Sequence, residues 1–498
     1  MPLADQFKIY RTYGVLREQQ KKDILVGYHM QEFVVADGKI CAALTTEKPD
    51  IDMIRVLIMT NGFKSLFHDT ITLSCDSMAV LEYGDEKDAK TESIAAGETV
   101  TIKPGDSRVA SGRLTFRSAN EGGMITVHSL ERAQGMPVYP GHMEITEESD
   151  GLLLLNEVDL EEYLKRVTPS EMPPTYELEA LKAQAICARS YAYNNISQNK
   201  HSAHHFDVCS STDCQVYRGA GSNVSSYQST DRTDRAVEET AGEYALYDGT
   251  VIEAFYSSSH GGASEDVYNV WGSSREKYPY LCGVEDPYEQ DVASLNSYSS
   301  WTVRYTASEL TSLLQKWGGV NASVESLTLT YSDLGNVIQV KVNYTNGESS
   351  TIRQRSTDLR NLFGLPSIRF TINGAEAEPG SPSGGSLSGE GLSGRSRLYT
   401  ISGTGALSRE DRDDLYVISG AGSIDRMGEQ TGSSGGDTGA VAGTEVTVSG
   451  SQYVFQGSGW GHQLGMSQYG AYAMAERGFD YDEIVEFYFP GVEVDALD

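Results

Sequence analysis

The sequence is poor in cysteine and in basic residues. It holds 6 Cys among 498 residues, a density far below that of a small domain held together by disulfides. Lys and Arg total 39 against 70 Asp and Glu, which gives a formal net charge of −31. Because a field of this sign repels phosphate backbones and anionic lipid, we do not expect nucleic-acid binding.

Long apolar runs are also missing. No stretch reaches the roughly 18 apolar residues of a membrane-spanning helix, and the opening residues MPLADQFKIYRTYGV hold no signal-peptide core. We therefore expect either a cytoplasmic protein or one whose export segment is absent from this chain. Tyr (29) outnumbers Phe (13), which fits half-exposed strands and equally fits surfaces that stack on sugar rings.

The pattern along the chain predicts an α+β fold: a β-rich N-terminal module plus a helical catalytic core with mixed sheet, interrupted by a low-complexity insert. Short apolar runs bounded by Gly, Asp or Ser predict the β-rich module. A later shift to Gly, Ser and acids, with two similar segments (LYTISGTGALSR and LYVISGAGSIDR), predicts an insert carrying hairpin-like strands. The predicted regions are an N-terminal appendage (1–50), the catalytic region (51–372), the insert (373–449) and the C-terminal part of the catalytic region (450–498).

Two helices flank the segment PSEMPP, which contains Glu171. The first is predicted to end at Pro169, and the second to run from about Tyr176 to Asn194 with Thr175 as its N-cap. Prolines stiffen the connection, and apolar neighbours desolvate the carboxyl group in part, which would suit it to act as a general acid. The alternative is a carboxylate that only caps backbone amides.

The stretch TPSEMPPTYELEALKAQAICARSYAYNN resembles the signature of the SpoIID/LytB family (stage II sporulation protein D). Further blocks that resemble the family follow in order: CQVYRG, FYSSSHGGASEDVYNVWG, YPYLCGVEDPYE, GWGHQLGMSQYGAYAMAERG and FYFPG. The resemblance implies a peptidoglycan lytic transglycosylase, which cleaves MurNAc–GlcNAc strands to 1,6-anhydromuramyl products. It assigns to Glu171 the part of single acid and base.

The resemblance also implies a set of substrate-binding residues. Two of them, Lys182 and Arg189, lie on one face of the second predicted helix. The alternative to substrate binding is that both form ion pairs with neighbouring acids. Trp271 is either a sugar-stacking platform or a core residue. The implied substrate-binding residues are Lys182, Arg189, Gln215, Tyr217, Tyr256, Ser258, His462 and Gln468.

Thiols and imidazoles gather in the segment HSAHHFDVCSSTDCQVYRG, and both are ligands that zinc prefers. Some SpoIID enzymes bind zinc with one His and two Cys in this loop, which implies a structural zinc on His205, Cys209 and Cys214. The spacing does not decide between His201, His204 and His205. A local disulfide and free thiols are the alternatives.

The resemblance implies peptidoglycan glycan strands as partners, together with other cell-wall hydrolases. It places the protein in the cell envelope or outside the cell, with an export or membrane-anchor segment absent from this chain. Two other functions stay open. LytB-type relatives are described as activators of a cell-wall amidase, so the chain could be a non-catalytic glycan-binding activator. A plain hydrolase would need a second carboxylate, such as Asp207, Asp213 or Glu265.

Overall fold

The computed structural model divides into two compact units. Unit 1 consists of Met1–Ala245, Gly249–Glu253 and Asp495–Asp498, and unit 2 of Leu246–Asp248 and Ala254–Val494. The structure describes residues 1–12, 15–20, 23–25, 31–47, 51–84, 88–110, 112–221, 228–375, 397–401, 407–411, 416–418, 424–426 and 443–497.

Three β-sheets form most of unit 1. Their strand orders are β2-β1-β4-β3, β15-β5-β14-β13-β10-β7-β8 and β12-β11-β6-β9. The strands are β1 (Leu3–Arg11), β2 (Arg17–Gln19), β3 (Gln31–Ala36), β4 (Lys39–Thr45), β5 (Met53–Leu57), β6 (Ile71–Cys75), β7 (Ala79–Tyr83), β8 (Lys90–Ile94), β9 (Val100–Ile102), β10 (Leu114–Ser118), β11 (Ile125–Val127), β12 (Val138–Tyr139), β13 (His142–Glu148), β14 (Gly151–Asp159) and β15 (Val208–Cys209); β16 (Glu243–Tyr247) and β17 (Thr250–Val251) follow later in the chain.

Three helices complete unit 1: α1 (Leu160–Glu171), α2 (Leu178–Ser197) and α3 (Asp231–Glu238). The long hairpin of β13 and β14 leads directly into α1, with Asp159 as the N-cap that accepts from the Glu162 N–H. One face of α2 carries Ala185, Ala188 and Ala192, which belong to the same buried cluster as the sheet residues. Small side chains let this helix approach the sheet closely. With sheets and helices both present, the prediction of an α+β fold is confirmed.

The helix boundaries differ from the prediction at Pro169. This residue lies inside α1, which continues to Glu171. A proline so near the helix end removes only one N–H bond of the last turn, and the Ser170 hydroxyl donates to the Arg166 carbonyl at 2.6 Å there. The N-cap of α2 is Glu177 and not Thr175. Glu171 therefore ends one helix a short distance before the next begins.

Unit 2 contains small sheets and short helices. The sheet orders are β18-β30, β19-β29-β23 and β22-β21-β20-β28, and each similar segment of the insert forms its own hairpin, β24-β25 and β26-β27. Residues 373–375 and 443–449 of the predicted insert are also described, and its last strand, β28, pairs with β20 in the four-stranded sheet. The remaining residues of the predicted insert lie outside the described ones. The strands are β18 (Tyr256–Ser257), β19 (Trp301–Thr306), β20 (Val324–Tyr331), β21 (Val337–Tyr344), β22 (Ser349–Arg353), β23 (Phe370–Ile372), β24 (Arg397–Ile401), β25 (Leu407–Asp411), β26 (Tyr416–Ile418), β27 (Ile424–Arg426), β28 (Thr444–Ser449), β29 (Gln452–Gly457) and β30 (Met466–Ser467), and a last strand, β31 (Glu493–Ala496), ends the described fold.

The helices of unit 2 are α4 (Val267–Trp271), α5 (Ala307–Lys316), α6 (Leu359–Phe363), α7 (Gln468–Glu476) and α8 (Tyr481–Tyr488). A capping box begins α8, since Asp480 and Glu483 each accept from the other's backbone N–H. Among the described residues, no helix has both the length and the apolar character needed to cross a bilayer.

Candidate functional site

Glu171 is half-buried at the C-terminal end of α1. Its Oε1 accepts a hydrogen bond from the backbone N–H of Val216 at 2.6 Å. The donor belongs to the segment that follows the two predicted metal-binding thiols. The carboxylate thus binds a backbone amide, as the capping alternative expects, but this amide lies 45 positions away in the sequence and not at the start of α2.

Tyr163 lies close to Glu171 on the same helix. Burial raises the pKa of Tyr163 well above its ordinary value, and the charge of Glu171 acts in the same direction. The hydroxyl therefore stays protonated, and it donates to Gln215 Oε1 at 3.1 Å. Tyr163 was not predicted as a site residue, because it is one of 29 tyrosines in the sequence and lies on the apolar face of a helix.

Gln215 and Tyr217 are both fully buried, so neither side chain reaches a bound glycan in this structure. Gln215 donates to the Ala188 carbonyl of α2 at 3.2 Å. The Tyr217 hydroxyl donates to Asn156 Oδ1 at 2.8 Å, and its ring packs against Tyr163 at 4.9 Å between centroids. Both side chains anchor the segment on either side of Val216, which corrects their predicted role from contact with substrate to positioning of the loop that holds Glu171.

Arg189 is fully buried and pairs with Glu161. Its Nε and Nη2 each donate to one carboxylate oxygen at 2.7 Å. The guanidinium also donates to the backbone carbonyls of Val237 and Glu243, at 3.3 and 3.2 Å. A side chain with no exposed surface cannot touch a sugar, so its predicted substrate contact is corrected to a link between α1, α2 and the segment around α3.

Lys182 lies in two ion pairs, with Glu179 and Glu239, both at 2.9 Å. Its side chain is 13% exposed. These contacts raise the pKa of Lys182 against the opposing effect of burial. Lys182 and Arg189, the two cations of α2, therefore both form ion pairs with acids in this structure, which was the alternative to substrate binding.

The two thiols of the predicted zinc site lie together, and the histidine beside them is His201. His201 Nε2 lies 3.1 Å from Cys214 Sγ. His205 is exposed, with a positive φ of 57°, and the contact to the thiols comes from His201 instead. All six cysteines are free thiols, which excludes the local disulfide in this structure.

The protonation of this cluster fits a metal site. A hydrogen bond from the Cys214 thiol lowers the pKa of Cys209 to about 6, while the same contact raises that of Cys214. Burial lowers the pKa of His201 to about 4, so its imidazole is neutral at pH 7. Cysteine sulfur and neutral imidazole nitrogen are both ligands that zinc binds.

A second group of possible ligands lies on β13 and β14, where His142, Glu144 and Glu157 come close together. Arg55 already supplies the cation there. Its Nη2 contacts Glu144, and its Nε lies 3.5 Å from Glu157. Arg113 Nη1 also lies 2.7 Å from Glu144 Oε1, so two guanidinium groups balance the two carboxylates and the cluster is an ion network.

In unit 2 the predicted residues lie on two glycine-rich loops. Tyr256 in β18 pairs with Met466 in β30, and the His462 ring hydrogen-bonds to the Tyr256 backbone. The Ser258 carbonyl accepts from the Tyr469 N–H at 3.1 Å, next to Gln468 at the start of α7. The structure therefore brings together these four predicted residues: Tyr256, Ser258, His462 and Gln468.

Glu289, which the sequence analysis missed, joins the two loops. Its carboxylate accepts from the backbone N–H of His260 at 2.9 Å and of Gly262 at 3.1 Å. It also accepts from the Ser467 hydroxyl at 2.8 Å. Glu289 is the last residue of the block YPYLCGVEDPYE, so the motif resemblance already pointed to this position, but no local pattern marked it as a buried acid.

The carboxylates considered for a plain hydrolase have separate environments. In unit 1, Asp207 is buried and accepts from the Arg55 N–H at 2.7 Å, while Asp213 is exposed. In unit 2, Glu265 is buried and accepts from Asn336 Nδ2 and Asn269 Nδ2, at 3.0 and 2.9 Å. Asp207 and Glu265 thus have structural hydrogen bonds.

Comparison with known proteins points to the same part of the chain. A family model described as "SpoIID: Stage II sporulation protein" matches residues 148–247, the segment that holds Glu171, α2 and the thiol loop. An amidase enhancer of Bacillus subtilis is 30% identical over 66% of this chain. The chain carries a segment that matches the SpoIID family model, and over about two thirds of its length it is similar to an amidase enhancer and to stage II sporulation protein D. The prediction made from its motifs is confirmed.

Two further relatives cover most of their own length. An uncharacterized protein of Brachyspira hyodysenteriae is 28% identical over 72% of each chain. Stage II sporulation protein D of Bacillus subtilis is 25% identical over 68% of this chain and 76% of its own. By contrast, the chain spans only 39% of the length of the amidase enhancer that it matches.

Only part of the predicted site lies within the residues that match the family model. Glu171, the cations of α2 and the zinc candidates all lie within residues 148–247, whereas the loops of unit 2 lie beyond them. The SpoIID match and the relatives named for sporulation and for amidase enhancement connect the protein to the bacterial cell wall.

Proposed function

We propose that this SpoIID protein is a peptidoglycan lytic transglycosylase in which Glu171 is the single acid and base. The observation that carries the proposal is the hydrogen bond from the Val216 N–H to Glu171 Oε1 at 2.6 Å. It fixes a half-buried carboxyl group at the end of a helix, and a proton donor needs such a fixed position to act on one substrate atom.

The chemistry of the proposal needs one carboxyl group. Glu171 in its acid form donates a proton to the glycosidic oxygen that leaves the muramyl anomeric carbon. The resulting carboxylate then removes the proton of the muramyl 6-hydroxyl, whose oxygen bonds to that same carbon and closes the 1,6-anhydro ring. The proton count returns to its start and no water is consumed, so a second carboxylate that activates water is unnecessary.

We further propose a structural zinc on His201, Cys209 and Cys214. The contact of 3.1 Å between His201 and Cys214 and the lowered pKa of Cys209 support it. The metal would supply a fixed cross-link for the loop, and Glu171 would keep the proton chemistry. Cys214 precedes Val216 by two positions, so ordering of the thiols would also order the N–H that holds Glu171.

The alternative function is a non-catalytic glycan-binding activator of a cell-wall amidase. The relative named amidase enhancer, at 30% identity, favours it. Under either function the protein would act at the cell envelope, on glycan strands and alongside other cell-wall hydrolases.

Digestion of peptide-free glycan strands tests the proposal, with mass spectrometry of the products. A lytic transglycosylase releases 1,6-anhydromuramyl ends. Release of reducing ends would instead show a hydrolase, and intact strands together with stimulation of an added amidase would show an activator. Either of those two results contradicts the proposal.

A further inference from the structure

Unit 2 contains a cavity of about 230 Å³. Its size suits a single sugar ring better than a drug-sized ligand, whose pockets are usually larger than about 300 Å³. Apolar, cationic and hydroxyl groups all contribute to its surface. The residues that line it are Val270, Trp271, Gln354, Arg355, Ser356, Thr357, Asp358, Arg360 and His462.

Trp271 forms an aromatic wall of this cavity. Its side chain is 42% exposed, which is unusual for a tryptophan next to other rings. Phe255 packs against it edge-on at 4.8 Å, and His462 lies 5.4 Å away between ring centroids. These neighbours fix the indole while part of its surface stays open, and such a surface can stack on the apolar face of a pyranose.

Two guanidinium groups line the same cavity. Arg355 lies over the Tyr268 ring, 4.9 Å from its centroid, and donates to the Tyr268 hydroxyl. Arg360 has its Nε shielded from solvent with no hydrogen-bond partner. The ion pair of that nitrogen with Asp358 Oδ1 is long, at 3.9 Å.

Asp358 offsets one of the two positive charges that Arg355 and Arg360 bring to this cavity, so the three groups leave a net positive charge. Its Oδ1 accepts from the Arg360 backbone N–H at 2.9 Å, and its Oδ2 accepts from Asn361 Nδ2 at 3.0 Å. The Arg360 side chain as a whole is 25% exposed, so its other N–H groups can donate to a ligand oxygen. The planar fork of arginine favours a carboxylate for this purpose.

His462 contributes a neutral polar group. Burial and the nearby charge of Arg360 lower the pKa of His462 to about 4. Its Nδ1 accepts from the Leu464 N–H at 3.1 Å, which sets the orientation of the ring towards Trp271. The hydroxyl groups of Ser356 and Thr357 lie at the same cavity and suit the hydroxyl and amide groups of a sugar.

We infer that this cavity binds a pyranose that carries a free carboxylate, with Trp271 on the ring face and Arg360 and Arg355 on the carboxylate. The inference rests on the proposed function for its ligand class, because the muramic acid residues of peptide-free glycan strands are sugars of this kind. It adds a recognition site in unit 2 to the catalytic candidate in unit 1.

Equilibrium binding to two simple sugars tests the inference. The full chain with Glu171→Gln is titrated with N-acetylmuramic acid and with N-acetylglucosamine, which lacks the carboxylate, by calorimetry and tryptophan fluorescence. We expect the acidic sugar to bind about tenfold more tightly or better, the equivalent of about 1.4 kcal/mol for one charge-assisted contact. Equal affinity for the two sugars would overturn the inference.

Variants locate the site. Trp271→Ala should weaken binding of both sugars at least about tenfold, whereas Arg360→Gln and Arg355→Gln should remove only the preference for the acidic one. Trp317, which is 57% exposed elsewhere in unit 2, provides the matched control as Trp317→Ala. Thermal unfolding checks that each variant is folded. Unchanged binding by folded Trp271→Ala, or an unchanged preference in both arginine variants, contradicts the assignment.

The binding experiment and the cleavage experiment can fail separately. If the wild type releases 1,6-anhydro products but the chain does not discriminate the two sugars, only the cavity assignment fails. If the cavity discriminates them and the wild type cleaves no glycan, only the catalytic proposal fails.

Discussion

The carboxylate of Glu171 is joined to the backbone of Val216 by a hydrogen bond of 2.6 Å. Val216 follows Cys214 by two positions and lies between two fully buried side chains, those of Gln215 and Tyr217. The catalytic candidate and the thiol loop are therefore one structural element, although α2 separates them in the sequence.

Glu171→Gln and Glu171→Ala should both lose activity, but they should differ in stability. Glutamine keeps an oxygen that accepts from the Val216 N–H, whereas alanine leaves this donor of a buried residue unsatisfied, at a cost of about 1–3 kcal/mol. Urea unfolding of both variants measures the difference. Equal stability of the two would show that the hydrogen bond does not hold the loop.

His201→Gln and His205→Gln form a matched pair for the zinc proposal. His201 contacts Cys214, whereas His205 is exposed. We expect untagged wild type and His205→Gln to bind about one zinc per chain, and His201→Gln to lose most of it. A chelator should lower the melting temperature of the first two proteins only. Equal zinc content in all three would contradict the assignment of His201.

The motif resemblance predicted the family, and the pattern of apolar runs along the chain predicted the fold class; the catalytic role of Glu171 stays a prediction. The resemblance did not predict the buried contacts of Gln215, Tyr217 and Arg189, because a residue type that suits a sugar also suits a buried hydrogen-bond network. The spacing could not decide between His201, His204 and His205, because the distance between ligands in a loop depends on how the backbone folds back. Val216 was not predictable at all, since any residue except proline supplies the N–H.

Arg189→Met should destabilise the protein far more than Lys182→Met. Removal of the buried guanidinium leaves Glu161 and two backbone carbonyls without their partner, at a cost of about 3–5 kcal/mol. The ion pairs of Lys182 are partly exposed, so their loss should cost about 1 kcal/mol or less. Urea unfolding gives both values. If Arg189 instead acted by binding glycan, its variant would keep wild-type stability and lose only affinity.

Asp286 should make the stability of unit 2 depend on pH. Burial and the charge of Glu289 raise the pKa of Asp286 from its ordinary 3.8 to about 6 in the folded state. The protonated form is thus favoured by folding: its contribution is complete below about pH 4 and is lost as the pH rises through 6.

Asp286→Asn should remove this loss, which amounts to about 3 kcal/mol at most. The difference in unfolding free energy between variant and wild type should therefore shift in favour of the variant between pH 4 and pH 7. Asp333→Asn, at an exposed position, is the control. A difference that does not change with pH would contradict the raised pKa.

The most direct test of the account is cleavage of peptide-free glycan strands by wild type, Glu171→Gln and Glu177→Gln. Glu177 is an exposed acid in the same connection between α1 and α2, so its variant controls for loss of charge alone. We predict that wild type and Glu177→Gln release 1,6-anhydromuramyl ends at similar rates, and that Glu171→Gln is slower by about 100-fold or more. Cleavage by folded Glu171→Gln at the wild-type rate would contradict the central claim.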